Sequence, residues 1–359
     1  MTKIHYYISS HGFGHSTRAI EVINHIPSSV EVEIITSAPQ WLFERSLTRP
    51  FEYRSLQHDA GILQIDCFKN DQQSTYDFWL GLLDDYPRMA EEEAGRFKGG
   101  KNLVVGDISP FAVAVAQTVG IPSVIVANFS WNWIFEVFLD QNPAFQGIID
   151  RISDYYSECP LLLRTPLSGD LSVFPQIRDI PLIVRRSSMT REESRHHFGI
   201  NQYARVVLVS FGGMGMNAIK PDFLETFRDI TFLTFDDKLT GPANVRYLHP
   251  QDTYHPDAIR ASDLALAKMG YGIVTECIAH QVPIAYPPRN GFPEHPVLVE
   301  QSQHWIEAFA IAEDDFNQGN WGFLEDFFTS NMKRNVKSFP VAEVDGGRIA
   351  AEILCSMAV

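Results

Sequence analysis

The sequence predicts an α/β protein of two doubly wound, Rossmann-like domains that face each other across a cleft. Strand-like and helix-like runs alternate almost throughout the 359 residues, as expected of parallel sheets covered by helices. This length exceeds that of one typical domain, so two are expected. Each half opens with a strand, a glycine-rich loop and a helix. Ligands of such folds bind beyond the carboxyl ends of the strands, so the cleft is the predicted site.

The first half, residues 1–165, begins with a mostly apolar strand that ends before Ser9 and Ser10. The sequence His-Gly-Phe-Gly-His follows, and an amphipathic helix begins there. Further strands are predicted at 30–36, 51–56, 102–106, 123–127 and 160–164, and helices at 40–47, 75–97, 110–120 and 148–156. The connection at 57–73 is long and is therefore a candidate functional loop.

A proline-containing stretch of loosened pattern, residues 166–185, is the predicted interdomain linker. The second half, residues 186–340, repeats the alternation. Its strands are predicted at 205–210, 230–235, 245–248, 263–267 and 282–286, and its helices at 218–228, 256–261, 273–280, 297–309 and 320–329. A last helix, within residues 341–359, is expected to pack back on the first domain.

The charge and composition argue against several classes of function. The net charge of −15, from 29 basic and 44 acidic residues, disfavours nucleic acid or an anionic membrane as the main partner. No apolar run approaches the roughly 20 residues of a membrane-spanning helix. The first strand follows the N-terminus directly, so we expect no leader segment and a cytoplasmic location. The scattered cysteines Cys67, Cys159, Cys277 and Cys355 are expected to be reduced thiols.

Two glycine-rich loops in the second half, 211–215 and 268–272, are candidate phosphate sites. Neither has the Gly-Lys-Ser/Thr ending of a Walker loop or the full Gly-x-Gly-x-x-Gly dinucleotide pattern. Both place bare backbone at a helix N-terminus, which suits a diphosphate, although ordinary turns are the alternative. Glu276 lies one turn into the second of these helices. It can accept hydrogen bonds from a ribose, or it can simply complement the helix dipole.

His11 and His15, in the first loop, are candidate catalytic bases because histidine can take a proton near neutral pH. A metal site would need further ligands, for which the sequence has no motif. Helix-capping or surface histidines are the third alternative. A catalytic base needs an acid to orient it, and Asp107 is placed for this role at the end of a strand in the same domain.

Three motifs, in order along nearly the whole chain, resemble those of GT-B glycosyltransferases. The first, His-Gly-Phe-Gly-His-Ser-Thr-Arg at 11–18, is most similar to the glycosyltransferase-like domain of L-arabinokinases. The second is Val-Val-Gly-Asp-Ile-Ser-Pro at 104–110, followed by Gly-Ile-Pro-Ser-Val at 120–124. The third runs from Ala261 to Cys277 and resembles the donor signature of UDP-glycosyltransferases and of the bacterial cell-wall N-acetylglucosaminyltransferase. The resemblance implies the GT-B fold.

The resemblance also implies roles for the residues of the first domain. His15 matches the general base that acts on the acceptor hydroxyl, and His11 is the second choice for this base. Asp107 would orient the base. Gly12 and Gly14 would belong to the loop on the acceptor side of the cleft.

For the second domain, the resemblance implies a donor site. The implied donor residues are Gly212, Gly213 and Met214 at the phosphates, Leu248 at the nucleotide base, Lys268, Gly270, Tyr271 and Gly272 in the diphosphate loop, and Glu276 at the ribose. The sugar region departs from the Asp/Glu-Gln pair of plant enzymes, with Glu300 and Gln301 on the following helix. The identity of the sugar therefore stays open.

The function implied is inverting, metal-independent transfer of a sugar from a nucleotide sugar, with UDP as the expected carrier, to a hydroxyl of a small soluble acceptor. No cofactor beyond this donor is expected, and a homodimer is left open. Aromatic residues that either line an acceptor groove or pack the helices are Tyr76, Trp79, Trp131, Trp133 and Phe135. Two alternatives remain, namely a sugar-nucleotide epimerase or hydrolase on the same fold, and a binding module without transfer activity.

Overall fold

Two parallel β-sheets organise the chain in this computed structural model, which describes residues 2–65, 69–212, 219–289, 291–329 and 341–358. Within these residues the first sheet consists of β1 Thr2–Ile8, β2 Val30–Ile35, β3 Glu52–Arg54, β4 Lys101–Asp107, β5 Ser123–Ala127, β6 Leu162–Arg164 and β7 Ile177–Asp179. Their order is β3-β2-β1-β4-β5-β6-β7. The winding reverses between β1 and β4, so the carboxyl ends of these two strands define the crevice where such folds bind ligands.

The second sheet repeats this plan. Its strands in the described residues are β8 Arg205–Ser210, β9 Ile230–Thr234, β10 Val245–Tyr247, β11 Leu264–Ala267, β12 Ile284–Tyr286 and β13 Ala308–Ala310. They lie in the order β10-β9-β8-β11-β12-β13, and the reversal falls between β8 and β11. The predicted fold class of two doubly wound domains is confirmed.

Helices cover both faces of each sheet. Those of the first domain are α1 Phe13–Asn24, α2 Gln40–Ser46, α3 Gln72–Ala94, α4 Pro110–Val119, α5 Trp131–Phe135 and α6 Phe145–Ser157. The others are α7 Arg191–His197, α8 Pro221–Glu225, α9 His255–Ala261, α10 Tyr271–His280, α11 Glu294–Ser302, α12 Glu313–Gln318, α13 Phe323–Thr329 and α14 Gly346–Met357. Among the described residues, no helix is both long and apolar enough to cross a membrane.

The central strand β1 is buried on both faces, which explains its nearly continuous apolar sequence. Tyr7 packs on one face, in the core that contains Trp79 and Phe111. Ile4 and Tyr6 pack on the opposite face, in the core that contains residues of α1 and α14. Successive side chains of a strand point to opposite faces, so one strand contributes to two cores.

The C-terminal helix α14 packs against the first domain, as predicted. Ala350 and Leu354 are fully buried in the same core as Ile4. Gly346, at the start of α14, donates its N–H to Leu182 O at 2.9 Å. A Cβ added at Gly346 would lie 2.1 Å from Pro181 O, so this close approach requires glycine.

Some predicted elements of the second half are wrong. The helix predicted at 297–309 ends at Ser302, and β13 follows it, with Ala308 paired to Ile284 of β12. A three-residue strand has too few positions to show a period, and sheet pairing determines its conformation. Within the predicted linker, β7 pairs with β6 and extends the first sheet.

Candidate active site

The loop between β1 and α1 brings its histidine to a strand-end carboxylate. β1 ends at Ile8, and α1 begins after Gly12, whose φ of 69° lies in the left-handed region. Glycine adopts this conformation without the strain that a side chain would cause. The turn places His15 in the first turn of α1. Because Ile8 is paired with Asp107 of β4, His15 and Asp107 lie at the same edge of the sheet.

His15 and Asp107 form a buried, hydrogen-bonded pair. His15 Nδ1 lies 2.7 Å from Asp107 Oδ1, and the residues are 6% and 0% exposed. Burial alone would raise the pKa of Asp107, but the charge and hydrogen bonds of Arg18 and the hydrogen bond from His15 outweigh it and lower that pKa. The carboxylate is therefore charged at neutral pH, where it accepts the Nδ1–H of His15. This tautomer leaves Nε2 as the proton acceptor.

Arg18 holds the same carboxylate from its other side. Its Nε donates to Asp107 Oδ2 at 2.8 Å, and its Nη2 donates to Oδ1 at 2.7 Å. Its Nη1 donates to Asn128 Oδ1 at 2.6 Å, and its guanidinium lies 5.0 Å from the ring centroid of Tyr271, within cation–π distance. The positive charge of Arg18 balances the negative charge of Asp107. The main effect of the carboxylate on His15 is therefore to hold its ring in one orientation.

Asn128 and Glu294 continue this network into the second domain. Asn128 directly follows β5, and its Nδ2 donates to Glu294 Oε1 at 2.8 Å. Glu294 is the first residue of α11 and is 5% exposed. Burial raises its pKa despite the hydrogen bond from Asn128 and the positive charges nearby. A continuous set of polar contacts therefore joins His15 to the opposite side of the cleft.

His11 lies in an aromatic wall beside this network. Its ring stacks on Phe292, with centroids 5.8 Å apart, and meets Trp131 edge-on at 5.4 Å. Burial, followed by neighbouring positive charges led by His15, lowers the pKa of His11 well below its ordinary value. His11 is therefore uncharged at neutral pH. It lies apart from the His15–Asp107 hydrogen bond.

Asp59 lies in the long connection at 57–73 and joins it to the loop between β1 and α1. Its carboxylate accepts hydrogen bonds from Ser9 Oγ at 2.8 Å, Trp131 Nε1 at 2.7 Å and Gly61 N at 2.9 Å. Burial raises the pKa of Asp59 to about 6, although these bonds oppose the rise. Among the described residues, no three His, Cys, Asp or Glu side chains are grouped so that they could hold a metal ion.

The N-terminus of α10 meets the first turn of α1 across the cleft. A Cβ added at Gly272 would lie 3.6 Å from Gly14 Cα and 3.3 Å from Thr17 Oγ1, so the two turns are in contact. The unpaired N–H groups and the dipole of α10 make this point of the cleft favourable for an anion. A small cavity of about 10 Å³ here is lined by Gly14, Thr17, Arg18, Ile183, Val184, Arg185, Tyr271, Gly272, Thr275 and Glu276.

The carboxylate of Glu276, the expected ribose ligand, is held by hydrogen bonds to Arg185 and His255. Arg185 donates to Glu276 Oε1 through Nε at 2.9 Å and Nη2 at 2.6 Å. His255 Nδ1 lies 2.6 Å from Oε2. Burial would raise the pKa of Glu276, but Arg185 and His255 lower it to about 2. The carboxylate is charged at neutral pH and lines the cavity at the start of α10.

The phosphate residues predicted after β8 are partly described. Gly212 has a φ of 81°, and a Cβ there would lie 3.6 Å from Lys268 Nζ. The loops after β8 and β11 therefore come together, with Lys268 beside the bare backbone of Gly212. Gly213 and Met214 lie outside the described residues.

The other predicted donor residues lie farther from this centre. Leu248 is buried, and its N–H donates to Thr234 O at 2.7 Å, so its carbonyl is the backbone group left for a base. Glu300 is exposed on α11, whereas Gln301 Nε2 donates to Ser168 O at 3.1 Å. In the part of the chain that the structure describes, neither side chain hydrogen-bonds to the His15–Asp107 pair.

The aromatic side chains of the first domain mostly pack its helices. Trp79, Trp131 and Phe135 are fully buried, and their rings contact one another at centroid distances of 5.3 to 6.3 Å. Tyr76 and Trp133 are partly buried against the same core. Trp131 and Phe129 also lie against the ring of His15, with centroid distances of 6.1 and 5.6 Å, so one side of His15 is walled by aromatic rings.

Sequence reasoning did not assign several residues of the site, namely Arg18, Asp59, Asn128, Arg185, His255 and Glu294. Asn128 directly follows the carboxyl end of β5, a position similar to that of Asp107 at the end of β4. This position is the signal by which Asn128 could have been identified from the sequence. Arg18 lies on the same face of α1 as His15, three residues on. Nothing in the local sequence marks Arg185 or Glu294 as a partner of groups so distant along the chain.

Comparison with solved structures identifies the fold. The chain superposes with a TM-score of 0.66 on UGT89C1 of Arabidopsis thaliana complexed with UDP, at 13% identity over 100% of both chains. For the glycosyltransferase of kitacinnamycin the TM-score is 0.67, at 14% identity over 99% of both chains. The protein therefore has the GT-B fold of these glycosyltransferases.

The sequence itself is similar to a longer protein. It is 33% identical over 364 residues to L-arabinokinase of Arabidopsis thaliana, and the match covers 99% of this chain and 34% of that protein. The chain thus spans about a third of the length of this relative. The resemblance predicted from the sequence is confirmed. No protein-family model matches the chain.

Proposed function

We propose that this protein is a glycosyltransferase that moves a sugar from a UDP-linked donor to a hydroxyl of a small acceptor. The proposal is carried by the buried His15–Asp107 pair, which lies beside the N-terminus of α10 at the cleft. It is supported by neighbours of the same fold, whose structures contain UDP, UDP-L-rhamnose or quercetin. A cytoplasmic location and a homodimer remain predictions from the sequence.

In the proposed reaction, Nε2 of His15 takes the proton of the acceptor hydroxyl as its oxygen attacks the anomeric carbon. The bond between that carbon and the diphosphate breaks, and the departing UDP keeps the electron pair. Attack opposite to the leaving group inverts the anomeric carbon. Asp107 accepts the Nδ1–H bond throughout, so it orients the ring and stabilises the imidazolium that forms.

Donor binding is assigned to the second domain. The N–H groups at the start of α10 and the ammonium of Lys268 would stabilise the charge that develops on the diphosphate, so the proposed transfer is metal-independent. A carboxylate offers about four acceptor positions. Arg185 takes two of those on Glu276 and His255 takes one, which leaves one for a ribose hydroxyl.

The second candidate function is a binding module without transfer. It is favoured by the contact between the first turns of α1 and α10, and by the cavity of about 10 Å³, which is far too small for a nucleotide sugar. A donor would then need the cleft to open, and catalysis would need it to close again.

Calorimetric titration with UDP and UDP-sugars, followed by product analysis with and without hydroxyl acceptors, separates these functions. A glycoside formed only with an acceptor supports transfer. Free sugar without an acceptor indicates a hydrolase, and an isomerised donor indicates an epimerase. Binding without turnover supports the module. No nucleotide binding by the wild-type protein contradicts every one of these assignments.

A further inference from the structure

One side chain links the catalytic pair of the first domain to the second domain. Asn128 Oδ1 accepts from Arg18 Nη1 at 2.6 Å, and its Nδ2 donates to Glu294 Oε1 at 2.8 Å. Asn128 is 0% exposed, and its two partners are 3% and 5% exposed. Buried polar groups of this kind depend on one another, because a lost partner leaves an unsatisfied group away from water.

The amide of Asn128 suits this position because it is both a donor and an acceptor. The guanidinium of Arg18 can only donate, and the side-chain oxygen of Glu294 that faces Asn128 accepts. Separation of the domains removes Glu294 from Asn128, and it also removes the ring of Tyr271 from Arg18. Opening of the cleft therefore removes one support of Arg18 directly, the ring of Tyr271, and leaves the other, Asn128, without its partner in the second domain.

We propose that Asn128 is a positioning residue that couples closure of the two domains to alignment of the His15–Asp107 pair. The catalytic consequence rests on the proposed function. In the open form, Arg18 loses the ring of Tyr271, and Asn128 is no longer held by Glu294, so the two hydrogen bonds from Arg18 to Asp107 are less firmly aligned. The base is then fully oriented only when the cleft is closed around both substrates. Such coupling limits hydrolysis of the donor, because water reaches the open cleft before the base is in place.

The test measures the titration of the His15 imidazole and does not require turnover. Nuclear magnetic resonance of the imidazole gives the midpoint of the His15 titration in each variant of the full chain. The charged or titratable groups that act on His15 are Arg18, Asp107, His11, Asp59 and Glu294. Changing Glu294 therefore affects His15 in two ways, through its charge directly and through Asn128, and the variants must separate them.

Glu294→Gln keeps an oxygen that can accept from Asn128 but removes the charge, whereas Glu294→Ala removes both. We expect the His15 midpoint of Glu294→Ala to differ from that of Glu294→Gln by about 0.4 pH unit or more. In the Asn128→Ala background this difference should disappear. Equal differences in both backgrounds would show that Glu294 acts on His15 without Asn128 and would overturn the coupling.

Arg45→Ala is the matched control for loss of a contact between the domains. Arg45 Nη1 donates to Pro250 O at 2.7 Å, away from the catalytic pair. We expect this variant to leave the His15 midpoint unchanged. If Asn128→Ala fails to give a cooperative thermal transition, Asn128→Leu carries the test, since it nearly keeps the size of the side chain but lacks both the acceptor for Arg18 and the donor to Glu294.

Turnover provides a separate arm. Under the proposed function, Asn128→Ala should lower kcat for sugar transfer by about 10- to 100-fold while the KM for UDP-sugar changes by less than about threefold. Arg45→Ala should keep kcat within about twofold. If the wild-type protein shows no transfer activity, the proposed function is contradicted. The proposed coupling is not, because the His15 titration tests it independently. Normal kcat in Asn128→Ala, with an active wild type, contradicts the coupling alone.

Discussion

Replacing Asp107 by asparagine tests whether the carboxylate holds the catalytic pair together. Asp107→Asn keeps the shape of the side chain but removes its charge. The native carboxylate accepts one hydrogen bond from His15 and two from Arg18, and all three are buried. An amide has only one oxygen, so its NH2 group faces a donor of Arg18 or His15. The guanidinium of Arg18 is then a buried charge without its ionic partner.

The magnitude follows from that burial. Removing one partner of a buried ion pair costs about 3–5 kcal/mol, because the other charge remains desolvated. We therefore expect Asp107→Asn to lower the free energy of unfolding by this amount at pH 7. Urea unfolding followed by tryptophan fluorescence reports on both domains, since Trp79 and Trp131 are buried in a core of the first domain and Trp321 in a core of the second.

Asp179→Asn is the matched control. Asp179 also accepts two hydrogen bonds from one arginine, Arg164, at 2.6 and 3.0 Å, but its side chain is 70% exposed. Exposed pairs contribute about 0–1 kcal/mol, so this variant should be nearly as stable as the wild type. If Asp107→Asn destabilises the protein no more than Asp179→Asn does, the account of the buried pair is refuted.

The pH dependence gives the same reasoning a second check. The pKa of Asp107 is lower in the folded protein than in the unfolded chain, where aspartate titrates near about 3.9. Its contribution is therefore complete above about pH 5 and is lost as the pH falls through the folded-state pKa. We expect the stability difference between wild type and Asp107→Asn to be present at pH 7 and to shrink below about pH 4.

Two further predictions concern the linker and the C-terminal helix. Arg185→Met leaves Glu276 buried without its ion pair, so it should cost about 3–5 kcal/mol in urea unfolding at pH 7 and raise the Glu276 pKa from about 2. Gly346→Ala should lower Tm and expose α14 to proteolysis, because its Cβ would lie 2.1 Å from Pro181 O. Gly147→Ala, in α6 with no atom within 4 Å of the added Cβ, should leave Tm equal or higher. A Tm loss as large in Gly147→Ala as in Gly346→Ala would contradict the steric explanation.

The meeting of His15 with Asp107 could be predicted because it depends on a rule of parallel sheets. His15 follows the carboxyl end of β1 and Asp107 is the last residue of β4, and these strands are neighbours where the winding reverses. The alternation of apolar runs likewise predicted the two domains. Such features repeat along the chain or result from topology, so a local pattern is enough to find them.

Contacts between distant segments could not be predicted in this way. Glu276 is 91 residues from Arg185 and 21 from His255, and no periodic pattern joins them. Asn128 and Glu294 are 166 residues apart. Their pairing depends on how the two domains pack, which is set by many contacts that no single segment specifies.

Some local elements were missed although their signal is present. Thr190 and Glu193 form a capping box at the start of α7, where each side chain accepts from the backbone N–H of the other. The pattern Thr-x-x-Glu marks a helix start, and α7 was nevertheless not predicted. β13 offered no comparable signal, because it is only three residues long and its conformation depends on pairing with β12.

Sugar transfer by His15→Ala tests the central claim most directly. Glycoside formation from a UDP-sugar is measured in the wild type, in His15→Ala and in His11→Ala, together with UDP affinity by calorimetry. We expect His15→Ala to lower kcat by about 10²- to 10⁴-fold with unchanged UDP affinity, and His11→Ala to keep the larger part of the activity. Full turnover by His15→Ala would contradict the assignment of His15 as the base.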